Sequence, residues 1–153
     1  MKFLELKIPP VALVFLFIAL MWWLSANTGN LGIENATRLA ALSILTLMSV
    51  AICLAGVLAF KAQKTTVNPI KPETSSSLVQ SGIYRFTRNP MYLGMALFLM
   101  GCGVYFDNAY AIACVLLFVL YMTKFQIQPE ESALTKIFGQ AFVDYMRTTR
   151  RWI

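Results

Sequence analysis

The chain has no histidine. No side chain therefore titrates near neutrality unless its surroundings shift it strongly. Charge is scarce too: 13% of the 153 residues are charged and 58% are hydrophobic, and the mean hydropathy is +0.65. A soluble chain of this length has no way to hide so much apolar surface. No ionisable residue falls in the middle of an apolar run, which argues against a proton-coupled transporter. Cysteine is limited to Cys53, Cys102 and Cys114, all inside apolar runs. An odd number without paired spacing argues against a disulfide framework or a zinc site, so packing thiols and no metal are expected. The net charge of +6 is carried beside apolar blocks, as in loops that face an anionic leaflet, and no nucleic-acid partner is expected.

What the chain does have is apolar runs of membrane-crossing length. Residues 8–24, 39–60, 90–106 and 109–125 predict about four transmembrane helices, joined by a loop over 61–89 and followed by a C-terminal segment over 129–153. The expected fold is a single all-α membrane domain with a C-terminal amphipathic helix. The first run ends in Trp22-Trp23, an interfacial anchor pair; a signal peptide is the competing reading, and the later spans favour a retained helix. The third run is short and holds Gly94, Gly101 and Gly103. Gly94 and Gly101 share a helix face, where a second backbone or a ligand can come close. Of the 13 Lys and Arg, only Arg38 falls in a loop of the opposite set. That asymmetry predicts both termini on the cytoplasmic side of the inner (plasma) membrane.

The stretch 82–94, Gly-Ile-Tyr-Arg-Phe-Thr-Arg-Asn-Pro-Met-Tyr-Leu-Gly, lies between a polar loop and the third run. Asn89 suits an N-cap and Pro90 the first helical position. Free backbone N–H groups, the positive end of a helix dipole, Arg85 and Arg88 would then converge at a lipid–water boundary. Two readings stand: an anion site, or arginines that only mark the cytoplasmic edge. Farther on, Pro129 is expected to start a helix, with Glu130 and Glu131 in its first turn. Leu134, Ile137, Phe138, Ala141, Phe142 and Tyr145 recur at helical spacing along it. Arg150-Arg151-Trp152 reads locally as a basic-aromatic anchor.

Taken together, Arg-Asn-Pro-Met-Tyr-Leu-Gly, a helical hairpin, Glu-Glu, Phe138-Gly139 and a terminal Tyr145…Arg150-Arg151-Trp152 form a pattern over Thr65 to Trp152. It resembles the integral-membrane methyltransferases, which include isoprenylcysteine carboxyl methyltransferases and phospholipid N-methyltransferases. The resemblance implies a cytoplasmic-side pocket for S-adenosyl-L-methionine (SAM) and a lipid-like acceptor that enters from the bilayer. Its implied cofactor contacts are Ser76, Ser77, Leu78, Val79, Tyr84, Arg88, Asn89, Pro90, Met91, Tyr92 and Glu130. A carboxylate such as Glu130 suits the ammonium or ribose hydroxyls of SAM, the helix start with Arg88 suits its carboxylate, and tyrosine faces suit its sulfonium.

The chain departs from that pattern in three places. Asn89 stands where the family commonly has His, which excludes an acid–base role there. Gln126 stands where the carboxyl methyltransferases place an Arg to orient the acceptor carboxylate, so Gln126 is the candidate substrate-binding residue and a carboxylate acceptor loses a charged partner. Phe142 replaces a family Tyr. Glu131 and Arg150 are the candidate catalytic residues: Glu131 as base for an amine acceptor, Arg150 or Lys124 as a replacement for the missing Arg. The expected activity is SAM-dependent methyl transfer to a carboxylate, amine or thiol of an amphipathic acceptor. An NAD(P)H-dependent membrane reductase and a non-catalytic membrane scaffold are the alternatives.

Overall fold

A computed structural model describes residues 5–63 and 77–153 of the chain. Its α-helices are α1 (Pro10–Asn27), α2 (Asn35–Ala62), α3 (Pro90–Tyr105), α4 (Ala109–Tyr121), α5 (Gln128–Phe138) and α6 (Gln140–Thr148), with no strand among the described residues. A 3₁₀ turn, Gly82–Arg85, leads into α3, and a π-helical segment, Met122–Ile127, joins α4 to α5.

The runs expected at 8–24 and 39–60 correspond to α1 and α2. Three helices are long and apolar enough to cross a membrane: Pro10–Asn27, Asn35–Ala62 and the continuous Ala109–Phe138. α3 is a shorter apolar helix of 16 residues, about 24 Å at 1.5 Å per residue, against a hydrocarbon core of about 30 Å. The fold is that of an all-α integral membrane protein. Much of its outer surface is apolar, as on Phe15, Leu16, Trp22, Leu47, Leu58 and Leu116, which suits lipid rather than water.

The core lies between α1, α3 and α4. Leu13, Val14, Phe17 and Met21 form the buried stripe of α1, and Phe17 meets Phe118 edge-on with ring centroids 5.6 Å apart. Leu99, Phe118, Met122 and Ile127 are fully enclosed. The cysteines are free thiols, Cys102 and Cys114 buried and Cys53 half-buried.

α2 packs along α3 through the glycines. A Cβ on Gly94 would lie 2.5 Å from Cys53 Sγ and 3.0 Å from the Ser49 carbonyl oxygen, and one on Gly101 would lie 3.3 Å from Leu45 Cβ. Of the two roles open to that face, helix packing is the one it takes here.

Two expectations about the C-terminal part need correction. The helix does not begin at Pro129; it runs on from α4 through the π-helical segment. Proline has no N–H for the carbonyl four residues back. That carbonyl, Phe125 O, instead accepts from the Leu6 N–H at 3.1 Å, so the wide turn absorbs the proline without a break. The amphipathic stretch is also not one helix. Gly139, at φ +56° and ψ −130°, divides it into α5 and α6.

Hydrogen bonds tie the two ends of the bundle. At one end Asp107 accepts from the N–H groups of Gly32 and Ile33 at 3.3 and 2.9 Å, and Arg38 Nε donates to the Tyr105 carbonyl at 2.7 Å. Beside it the buried Asn108 caps α4, accepting from the Ala111 N–H at 3.0 Å, and its amide reaches Thr28 Oγ1 and the Gly29 carbonyl. The other end gathers the start of α3, the polar length after α4 and the chain from α6 to Trp152.

Candidate active site

Pro90 starts α3, as its fixed φ and missing N–H favour. Asn89 stands at the N-cap position but does not cap. Its backbone is at φ −130° and ψ 57°, and its side-chain amide donates to the Arg151 carbonyl at 2.9 Å. Among the described residues the first turn of α3 therefore has no side-chain cap.

Tyr92, in the first turn of α3, donates its hydroxyl to Glu130 Oε1 at 2.5 Å. Gln126, in the π-helical segment, donates Nε2 to the same oxygen at 2.6 Å. Tyr92 and Gln126 are buried, at 6% and 3% exposure, and the half-buried Glu130 turns its carboxyl group in towards them. The apolar length of the long helix ends near Phe125, so Glu130 stands beyond its crossing part. Burial pushes the Glu130 carboxyl up to about 7, and nearby Glu131 pushes in the same direction; the bonds from Tyr92 and Gln126 oppose both.

Glu131 is held differently. It is bound by Arg88 Nη2 at 2.7 Å and by Arg151, with Nη2 at 2.6 Å and Nε at 3.1 Å. Burial acts to raise its carboxyl, but the hydrogen bonds and charges of the two arginines prevail and hold it below the usual carboxylate range. Arg88 also donates to the carbonyls of Met146 (3.1 Å) and Thr149, and its backbone N–H to the Arg150 carbonyl at 3.0 Å. Its Nε is buried and, among the described residues, has no hydrogen-bond partner.

This pairing departs from the base expected at Glu131. A carboxylate neutralised by two guanidiniums has little affinity for a proton, and it suits an anchor for the C-terminal segment. The side chain of Arg150 is exposed, and Arg85 is exposed as well, so the two arginines before α3 do not converge.

Of the expected loop residues, Ser76 lies outside the described residues. Ser77 Oγ donates to the Gln63 carbonyl at 3.4 Å, Leu78 is half-buried and Val79 is 4% exposed. Tyr84 is buried edge-on to Phe60 at 5.2 Å, and its carbonyl accepts from the Tyr145 hydroxyl at 2.6 Å. Burial raises both phenols. Gly56 of α2 makes room for this corner: a Cβ there would lie 3.3 Å from Pro90 Cγ and Met91 Cγ and 3.6 Å from the Tyr84 hydroxyl. The structure thus brings Tyr84, Arg88, Asn89, Pro90, Met91, Tyr92, Gln126, Glu130 and Glu131 to one end of the bundle.

Arg151, Tyr145, Thr87 and Trp152 also take part there. Thr87 Oγ1 accepts from the Asn89 N–H at 3.1 Å, and Trp152 Nε1 donates to Thr123 Oγ1 at 3.1 Å. Local composition marked Arg150-Arg151-Trp152 only as an anchor; the one signal for more was its place in the longer pattern.

Comparison with known proteins bears on this arrangement. A stretch of 63 residues is 35% identical to an uncharacterized protein of Haemophilus influenzae, covering 41% of this chain and 100% of that one. Over 143 residues the chain is 27% identical to the protein-S-isoprenylcysteine O-methyltransferase of Rattus norvegicus, covering 89% of this chain and 49% of that protein. The chain thus spans about half the length of the rat relative. Residues 37–141, more than half of the chain and with them Tyr92, Gln126, Glu130 and Glu131, match the family described as phospholipid methyltransferase. An all-helical membrane domain with a polar cluster where α3 and α5 meet is in keeping with that match, and the chain belongs to the phospholipid methyltransferase family.

Proposed function

We propose that this protein transfers a methyl group from SAM to a lipid-like or amphipathic acceptor, a carboxylate, amine or thiol, at the cytoplasmic face of the inner membrane. The observation that carries the reading is the contact between Tyr92 and Glu130, which joins the two halves of the expected SAM contact set.

The residues suit the cofactor. Both bonds to Glu130 fall on Oε1, which leaves acceptor capacity for the ammonium or a ribose hydroxyl. The start of α3, without a side-chain cap among the described residues, offers N–H groups at the positive end of a helix dipole, and the Arg88 Nε, unpaired among those residues, is a further donor for the carboxylate. Leu78, Val79 and Tyr84 supply apolar and aromatic surface for the rest, with Ser77 at their edge.

When bound, SAM supplies an electrophilic methyl group on a sulfonium. Held by Glu130 and the start of α3, it would be open to in-line displacement by an acceptor's lone pair, with the thioether as leaving group and the proton of an amine or thiol acceptor released to water. The protein's contribution is position and exclusion of water. Glu130 orients one end of the donor, while Glu131, paired with Arg88 and Arg151, keeps the C-terminal segment against the start of α3. Bilayer lipid gives an amphipathic acceptor its route in. The basic residues around this end favour a cytoplasmic orientation, with Arg38 at the other.

The test is incubation of the purified protein and a membrane lipid extract with methyl-labelled SAM. Label in a lipid product, absent with Glu130→Ala, is expected. No labelled product across lipid and peptide fractions would instead favour the non-catalytic scaffold.

A further inference from the structure

Gln126 occupies the position from which an arginine would be expected to reach an acceptor carboxylate. Its amide is turned elsewhere. Nε2 lies 2.6 Å from Glu130 Oε1 and 3.5 Å from the Tyr92 hydroxyl, and the residue is 3% exposed. The π-helical segment that carries it follows directly from α4 and ends just before α5, so Gln126 sits four positions before Glu130 on the same side.

We propose that Gln126 is a positioning residue: it holds the carboxyl group of Glu130 in place for the methyl donor and does not read the acceptor. The assignment rests on the methyl-transfer reading above.

The residue type follows from the chemistry. A guanidinium at this distance would form an ion pair with Glu130 and compete with the donor's ammonium for the same oxygens. A neutral amide restricts the carboxyl group without cancelling its charge. Tyr92 does the same from α3, and the two donors fix the plane of the carboxyl from two elements. The other titratable groups that bear on Glu130 are Glu131 on its own helix and Tyr84 on the 3₁₀ turn. Glu131 tends to keep Glu130 protonated, the raised phenol of Tyr84 stays neutral in this range, and the amide of Gln126 favours the ionised form of Glu130.

The experiment is equilibrium binding of SAM alone to the full chain in lipid nanodiscs between about pH 6 and 8, for the wild type, Gln126→Leu and Gln126→Asn. The leucine removes the amide at similar volume. The asparagine keeps a buried amide one methylene too short to reach Glu130, and it decides the matter if the leucine variant does not fold. Both variants are expected to bind SAM at least about tenfold more weakly, since a hydrogen bond to a charged group is lost. The midpoint of the pH dependence is expected to move up. Unchanged affinity in the folded variants overturns the proposal, and so does weaker binding with an unmoved midpoint, which would mark a structural role only. Absence of SAM binding by the wild type would overturn the methyl-transfer reading itself; binding by the wild type with unaffected variants would overturn only the role of Gln126.

Discussion

Tyr92 and Glu130, 38 positions apart in the chain, share a hydrogen bond of 2.5 Å between the first turns of α3 and α5. One residue enters from an apolar helix and the other from the polar continuation of α4, so the bond closes the site only when those helices are packed.

On the proposed reading, Glu130 is expected to make SAM binding depend on pH. Its carboxyl, pushed up to about 7 by burial, is neutral below that value and charged above it. Affinity for SAM should therefore rise as pH is raised from about 6 to 7.5, and Glu130→Gln should remove that rise. For stability the sign is opposite. The folded state binds more protons than the unfolded state between the ordinary carboxylate range and about 7, so this group's contribution is full at low pH and is lost as pH rises through 7. Binding isotherms and thermal unfolding across this window check both.

Glu131→Ala leaves Arg88 and Arg151 without their shared carboxylate. The pairs are largely shielded, at 10% and 13% side-chain exposure for Arg88 with Glu131, while Arg151 is 34% exposed and partly screened by solvent. The expected loss is about 2 kcal/mol, short of the full cost of a buried broken pair. Hydrogen exchange should rise first at 149–152. The wild-type pairing should persist at neutral pH and weaken only on acidification, since the Glu131 carboxyl is held below its usual range.

Gly94→Ala should loosen the packing of α2 on α3. The added methyl meets Cys53 Sγ at 2.5 Å and backbone at 3.0 Å, so roughly 1–3 kcal/mol is expected to be lost. Adding Cys53→Ala should restore part of it, because the sulfur goes and the Ser49 carbonyl stays. Gly29→Ala, with nothing among the described residues within 4 Å, should be near neutral. Thermal unfolding in one detergent compares the series.

Asn108→Ala removes a cap and two further hydrogen bonds from a fully buried residue, at a cost of about 2 kcal/mol. The residue lies at the end of the bundle away from Glu130. The melting temperature should fall while SAM affinity, measured well below it, stays as in the wild type.

The all-helical character was legible because long apolar runs can satisfy their backbone in lipid only as helices, and α1 and α2 are helices over Pro10–Asn27 and Asn35–Ala62. Gly94 and Gly101 were legible as a close-approach face for the same kind of local reason. The helix running through Pro129 was not, because the partner that makes the proline tolerable, the Leu6 N–H, is more than a hundred positions away. The break at Gly139 was hidden by apolar spacing that continues across it. Asn89 has the composition of a cap, yet the Arg151 carbonyl takes its amide. Glu130 and Glu131 are adjacent and alike in sequence; only their partners, a phenol and an amide for one and two guanidiniums for the other, set them apart.

The most direct measurement of the central claim is calorimetric titration of SAM into the purified wild-type protein and into Glu130→Ala, with folding of both verified by thermal melts. Saturable one-to-one binding by the wild type and its loss in the folded variant is the predicted result. Equal binding by the two proteins, or none by a folded wild type, would contradict the placement of the methyl donor between the start of α3 and Glu130.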